Sequence, residues 1–173
     1  GGGTLVFTPN KTYLKSDLVR VDRPGTRLWG YGAVLYSVVT DEQLEEQGAA
    51  RVALHLDAPD TAVYGLTLVS NMRTRVDAHP NLSGIWLSSS DQEAIDNRLE
   101  YVNIFVREAT RFSIARNVVY RSTFDGIHVT TGSSFGKIVG NVVRQTGDDM
   151  IAVVSYGLGE PNVGPVLIED NDL

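Results

Sequence analysis

Two short acidic segments carry most of the chain's chemical promise. They are Thr123-Phe124-Asp125-Gly126-Ile127 and Thr146-Gly147-Asp148-Asp149-Met150-Ile151, and Asp125 and Asp149 stand 24 residues apart. If the chain brings those positions into register, three carboxyl groups share one surface. Like charges at that spacing cannot all stay ionised without cost, so one carboxyl is expected to hold a proton beside an ionised neighbour. Such a pair suits acid–base cleavage of a glycosidic bond, where one group protonates the leaving oxygen and the other activates water or attacks. His128 follows Asp125 by three residues and is expected to orient an Asp or bond a sugar hydroxyl. The competing reading is structural: Asp-Gly and Gly-Asp-Asp are common in turns, where Asp bonds nearby backbone and Gly tolerates positive φ.

What must position these groups is a repeat. Asn117-Val118-Val119 through Asp125, Ile127 and Val129 recurs as Asn141-Val142-Val143 through Asp149, Ile151 and Val153, at an offset of 24 with no gap. Upstream, Ile104-Phe105-Val106 lies 23 residues before Ile127-His128-Val129, and Phe112 lies 23 before Phe135. Ile85-Trp86-Leu87 and Leu54-His55-Leu56 share the in-out-in pattern at uneven spacing. Ile168-Glu169-Asp170-Asn171 echoes Ile138 to Asn141 at an offset of 30, with the Gly- and Pro-rich segment 156–165 supplying the extra length. The segments are short, β-branched and alternate with period two, and Gly, Asn, Asp and Ser break them. Two or three strands per ~24 residues fit a coil that stacks on its neighbours, with coils ~4.8 Å apart. The expected fold is all-β, a single-stranded parallel β-helix of roughly seven coils. It forms one domain over 1–173, with N-terminal coils in 1–40 and regular coils in 50–173. The ends read as cuts within a longer β-helix. Only Asp41–Gln47 reads as a short helix.

The repeat assigns faces. Ile85, Ile104, Ile127 and Ile151 form one inward column, and Leu87, Val106, Val129 and Val153 the next. Phe112 and Phe135 are expected to stack inside a turn. Asn117, Asn141 and Asn171 share one corner, where their amides can bond the coils above and below. His55, Trp86, Phe105, His128 and Ala152 form an outward column. Trp86 and Phe105 would there offer flat apolar faces to a sugar ring in line with the acids.

The opening, Gly2-Gly3-Thr4-Leu5-Val6-Phe7 through Lys11-Thr12-Tyr13-Leu14 to Leu28-Trp29-Gly30-Tyr31-Gly32-Ala33, resembles the first coils of the pectin-lyase-like right-handed parallel β-helix superfamily. The resemblance covers essentially the whole chain and implies a right-handed helix. Within that superfamily the two acidic segments resemble those of polygalacturonase-type glycoside hydrolases, which carry Asn-Thr-Asp-Gly and, one coil later, Gly-Asp-Asp. Residue by residue, Asp125 falls on the single Asp, and Asp148 and Asp149 on the pair. The resemblance implies that these three supply the general acid and the water-activating base. Thr123-Phe124 departs from the family's Asn-Thr, and its Gly-His-Gly and Arg-Ile-Lys motifs have no match before Leu173. One scaffold carries many chemistries, so function rests on the site.

Composition narrows the partners. With 15 basic and 21 acidic residues and a net charge of −6, the chain lacks the basic balance of a sequence-independent nucleic-acid binder. It has no Cys, hence no disulfide and no thiolate metal site. No apolar run reaches the ~18–20 residues of a membrane-spanning helix. The expected partner is a polysaccharide or oligosaccharide, with Arg121 and Arg144 available to pair with uronate carboxylates. No cofactor or metal is expected for a hydrolase. A lyase or epimerase on this scaffold would hold Ca²⁺ with its acids, and a non-catalytic adhesin- or tailspike-like helix would use the Asp residues only as turns. By resemblance the protein acts outside the cell or at its surface.

Overall fold

Among the described residues nineteen strands, all paired in parallel, follow one another in repeating triplets. The computed structural model describes residues 1–40, 54–75, 83–157 and 159–173. The first two coils comprise β1 (Thr4–Val6), β2 (Thr12–Lys15) and β3 (Val19–Val21), then β4 (Arg27–Trp29), β5 (Val34–Ser37) and β6 (Leu54–Leu56). Next come β7 (Ala62–Tyr64), β8 (Thr67–Ser70) and β9 (Ser83–Leu87), followed by β10 (Glu93–Ile95), β11 (Arg98–Glu100) and β12 (Asn103–Arg107). The fifth and sixth coils hold β13 (Ser113–Ala115), β14 (Val118–Tyr120) and β15 (Ile127–Thr130), then β16 (Gly136–Val139), β17 (Val142–Arg144) and β18 (Ile151–Val154). β19 (Val166–Glu169) opens a seventh. Each coil adds one strand to each of three sheets: β1 to β19 in steps of three, β2 to β17, and β3 to β18. This is a parallel β-helix, as the repeat required. The helix expected over Asp41–Gln47 lies outside the described residues.

The inward columns are the reason the coils stack. Leu54, Ile85, Ile104, Ile127 and Ile151 lie in register on one sheet, and the first four are fully buried. Leu35, Leu68, Leu99, Val119 and Val143 do the same on the second sheet. Leu28, Val63, Ala94, Ile114, Ile138 and Ile168 do so on the third. Each fully buried aliphatic side chain contributes about 1.5–3 kcal/mol. Val153, expected inside, is 44% exposed because β18 is the last strand of its sheet.

The corners use two devices. A left-handed residue precedes each ladder Asn: Asp96 (φ 59°) before Asn97, Arg116 (54°) before Asn117, Gly140 (66°) before Asn141 and Asp170 (53°) before Asn171. The Asn side chains then form a continuous ladder. The Asn97, Asn117 and Asn141 N–H groups donate to the Oδ1 of the next Asn at 2.9 Å each. Asn97, which the repeat comparison did not include, is its fourth rung; it sits only 20 residues before Asn117 and so falls outside the 24-residue register.

One expected stack does not form. Phe112 is buried, but Phe135 is 65% exposed. The strands here pair at an offset of 24, Ser113 with Lys137, so the counterpart of Phe112 is Gly136. A Cβ on Gly136 would meet Phe112 Cζ at 2.0 Å, so the ring occupies the space that a side chain there would need. Phe135 sits at a left-handed corner, φ 56°, and points outward.

Candidate active site

The register pairs Ile127 with Ile151, so the residues two places earlier, Asp125 and Asp149, face each other across adjacent coils. Gly126 N–H donates to Asp149 O at 2.9 Å, and Ile127 N–H to Met150 O at 3.0 Å. Carboxylate oxygens of Asp125, Asp148 and Asp149 all lie within 4.8 Å of one another.

The two motif glycines make this approach possible, though not through φ. Neither Gly126 nor Gly147 has a positive φ. A Cβ on Gly147 would lie 2.3 Å from Thr123 O, and one on Gly126 would lie 2.3 Å from Val143 Cγ1 and 2.6 Å from Met150 O. Both glycines are therefore demanded by contact between coils, a requirement different from the turn geometry the sequence suggested.

Each acid has its own surroundings. Asp125 is half-buried, and each of its oxygens accepts a bond: Oδ2 from His128 Nδ1 at 2.6 Å, Oδ1 from Asp149 N–H at 3.0 Å. When Asp125 acts as a carboxylate it only accepts, and His128 Nδ1–H is then the donor. Asp148 is exposed and accepts from Arg75 Nη1 at 2.8 Å. The exposed Asp149 side chain makes no hydrogen bond or ion pair among the described residues. Three carboxylates at this spacing could approach a cation together, although His128 and Arg75 already engage two of them.

His128 belongs to the outward column, which runs in register as Arg20, His55, Trp86, Phe105, His128 and Ala152. His55 stacks on Trp86 with centroids 3.9 Å apart and planes 9° apart. Trp86, Phe105, His128 and Tyr156 continue the line at 5.9, 5.5 and 6.4 Å. The rings face one another along the helix axis. Phe105 is only 8% exposed and Trp86 is half-buried, so Phe105 presents no open face of the kind expected for a sugar platform. The column instead walls His128 in. Two ring nitrogens in it, His128 Nε2 and Trp86 Nε1, are buried without partners. His55 also acquires a partner that the sequence did not suggest, Ser88 Oγ at 2.7 Å from Nε2.

The two arginines separate. Arg144, at the end of β17 in the second sheet, pairs with Asp172 and not with the three acids. Arg121 lines a pocket of about 350 Å³ whose wall includes Thr146 and Gly147, next to Asp148. Arg73, Arg75, Tyr101 and Thr123 share that pocket. Sequence reasoning missed these four. Arg75 meets Asp148 across 73 residues, and no repeat links the segment before β9 to the sixth coil.

No protein-family model and no curated protein sequence matches the chain. In three dimensions it is similar to the catalytic domain of a GH87 α-1,3-glucanase in complex with nigerose, with TM-score 0.67 and 18% identity over 94% of this chain and 28% of that one. A complex of such a domain with tetrasaccharides gives 0.67 and 15%, over 98% of this chain and 34% of that one. A "putative glycosyl hydrolase" from Parabacteroides merdae gives 0.62 and 12%, over 98% and 82%. The chain thus spans about a third or less of the α-1,3-glucanase chains. At identities of 12–18% the fold is what is shared: the chain is a right-handed parallel β-helix.

Proposed function

We propose that this chain is the catalytic β-helix of a polysaccharide hydrolase, and that Asp125, Asp148 and Asp149 perform the cleavage. One observation carries the reading: three carboxylates from two successive coils converge within 4.8 Å. The fold shared with catalytic domains that hold nigerose or tetrasaccharides supports a glycan as the partner.

In this mechanism Asp149, with no competing bond, protonates the glycosidic oxygen as the bond to the anomeric carbon breaks. Asp125, fixed by His128 and the Asp149 N–H, accepts a proton from the water that adds to that carbon. His128 acts through Asp125 as a positioning residue. Arg75 holds Asp148 beside the pair. Phe105 serves by packing against His128, and Trp86 by packing against Phe105. A hydrolase of this type needs no cofactor, and its polymeric substrate would place its work outside the cell or at the surface.

The test incubates the chain with neutral and acidic polysaccharides, α-1,3-glucan included. Reducing ends and unsaturated-uronate absorbance are followed together. Release of reducing ends without absorbance is expected, and Asp149→Asn should lower it by at least about 100-fold, the scale of a lost general acid. Absorbance that disappears with a chelator would replace this reading with the Ca²⁺-dependent lyase or epimerase. Turnover that survives Asp149→Asn would remove the assigned role. Glycan binding without any turnover would leave a non-catalytic β-helix.

A further inference from the structure

The sheet that runs from β1 to β19 in steps of three carries an outer stripe that the proposed cleavage does not use. Its outward residues in register are Val6, Trp29, Tyr64, Ile95, Ala115 and Val139. All six are apolar or aromatic, and each is exposed or half-buried. The stripe is one residue wide and crosses six coils, a length of about 24 Å at the ~4.8 Å spacing of paired strands. The acids stand elsewhere, in the turns before β15 and β18 of another sheet.

The aromatic end of the stripe is held in place by its neighbours. Trp29 is 44% exposed and stands between Tyr31 and Tyr64, with ring centroids 5.9 and 5.3 Å away. Tyr31 is 47% exposed, and its ring lies against Gly65, where a Cβ would meet it at 2.3 Å. The Tyr31 hydroxyl donates to Asp96 Oδ2 at 3.0 Å, and the Tyr64 hydroxyl donates to Glu93. The Trp29 indole N–H makes no hydrogen bond among the described residues. Ion pairs flank the rings. Arg27 meets Asp60 at 2.5 Å, and Arg116 meets Asp96 through two bonds of 2.7 and 3.1 Å. These features select the occupant. A pyranose ring presents an apolar C–H face and a rim of hydroxyls, which suit aromatic rings beside carboxylates that keep lone pairs to accept with. Both flanking arginines are already committed to carboxylates, which leaves neither for an anionic chain. A protein partner needs about 800 Å² a side, more than a stripe one residue wide between ion pairs supplies.

We propose that this stripe is a second glycan-binding surface, which holds a neutral linear polysaccharide along the helix axis. Its sugar rings lie on Trp29, Tyr31 and Tyr64, and its hydroxyls donate to Glu93 and Asp96. The apolar continuation through Ile95, Ala115 and Val139 carries the chain over further coils. The inference rests on a glycan as the partner and not on the cleavage assigned to the acids.

The test is an NMR titration of the chain carrying Asp149→Asn, so that no probe is consumed. The chain has two tryptophans, Trp29 on this sheet and Trp86 on the sheet next to the acids, so their indole N–H signals report the two faces separately. Trp29→Ala assigns the signal by removing it. The probes are neutral glucan hexasaccharides linked α-1,3, β-1,3 and β-1,4, the corresponding disaccharides, and hexagalacturonate. At least one neutral hexasaccharide should shift the Trp29 signal saturably, and bind at least about tenfold tighter than its disaccharide or hexagalacturonate. Tyr31→Ala or Tyr64→Ala should weaken that binding at least about tenfold, and Tyr31→Phe or Tyr64→Phe, which keep the ring, should weaken it less. Circular dichroism and thermal unfolding check that each variant folds. A Trp29 signal that no neutral hexasaccharide moves would overturn the proposal, as would equally tight binding of the disaccharide or of hexagalacturonate. A dimer in sedimentation that Trp29→Ala dissociates would replace the glycan with a second copy of the chain. A Trp29 response in a chain whose unaltered form releases no reducing ends would uphold the surface and refute the hydrolase. Release of reducing ends without a Trp29 response would do the reverse.

Discussion

Asn117→Ala should strike the fold where its polar accounting is tightest. The Asn117 side chain is fully buried. Its Oδ1 accepts from Asn97 N–H at 2.9 Å and from Asn97 Nδ2 at 3.0 Å. Its Nδ2 donates to Ala94 O at 2.8 Å and to Asn141 Oδ1 at 3.0 Å. Four neutral bonds are worth about 1 kcal/mol each, and the Asn97 N–H loses its acceptor outright, which adds about 1–3 kcal/mol. A water admitted to the vacated space recovers part of this, leaving a loss of about 3–5 kcal/mol. Against a total stability of about 5–15 kcal/mol that is severe. Urea unfolding gives the loss, and the melting temperature should fall by about 10 °C. Solenoids need not unfold in one step, so amide exchange supplies a local readout. The Asn97 amide should exchange far faster while distant strands keep their protection. A loss below about 1 kcal/mol with a still-protected Asn97 amide would refute the reasoning, because the ladder would then be dispensable.

Gly147→Ala should cost about 1–3 kcal/mol, because its Cβ would lie 2.3 Å from Thr123 O and must force the coils apart. The same shift moves Asp148 and Asp149, so glycan turnover should fall by more than stability alone explains; unchanged melting and turnover would show that the contact is slack. Burial holds the His55 imidazole below its usual pKa of 6.5, while Asp57 opposes and Arg20 assists more weakly. Between 6.5 and that lower value the unfolded chain binds a proton that the folded chain does not, so stability falls as pH drops through this window. Urea midpoints from pH 7 to 5 should decline less steeply in His55→Gln than in the unaltered chain, and parallel slopes would remove His55 as the cause.

The repeat made the solenoid legible in the sequence. Ile104, Ile127 and Ile151 could be aligned as one column because each is set by local alternation and by the coil's length, and their pairing follows that alignment. The same arithmetic brought Asp125 to Asp149. It failed where coils change length. Phe112 was matched to Phe135 at 23 residues, and the strands pair at 24. Asn97 escaped because its coil is only 20 residues long. The aromatic column was correctly aligned, yet alignment said nothing of burial, which depends on what covers the sheet.

By itself the sequence determined the parallel β-helix, its inward columns, its Asn corner and the meeting of three carboxylates, since all of these follow from a period that the chain writes out locally. The tertiary structure alone decided which partner each carboxylate takes, that Gly126 and Gly147 serve contact between coils, and that Arg73, Arg75 and Arg121 share one pocket beside the acids. Those outcomes depend on distances between side chains of different coils, and a repeat fixes which coils are neighbours without fixing how far their irregular turns reach.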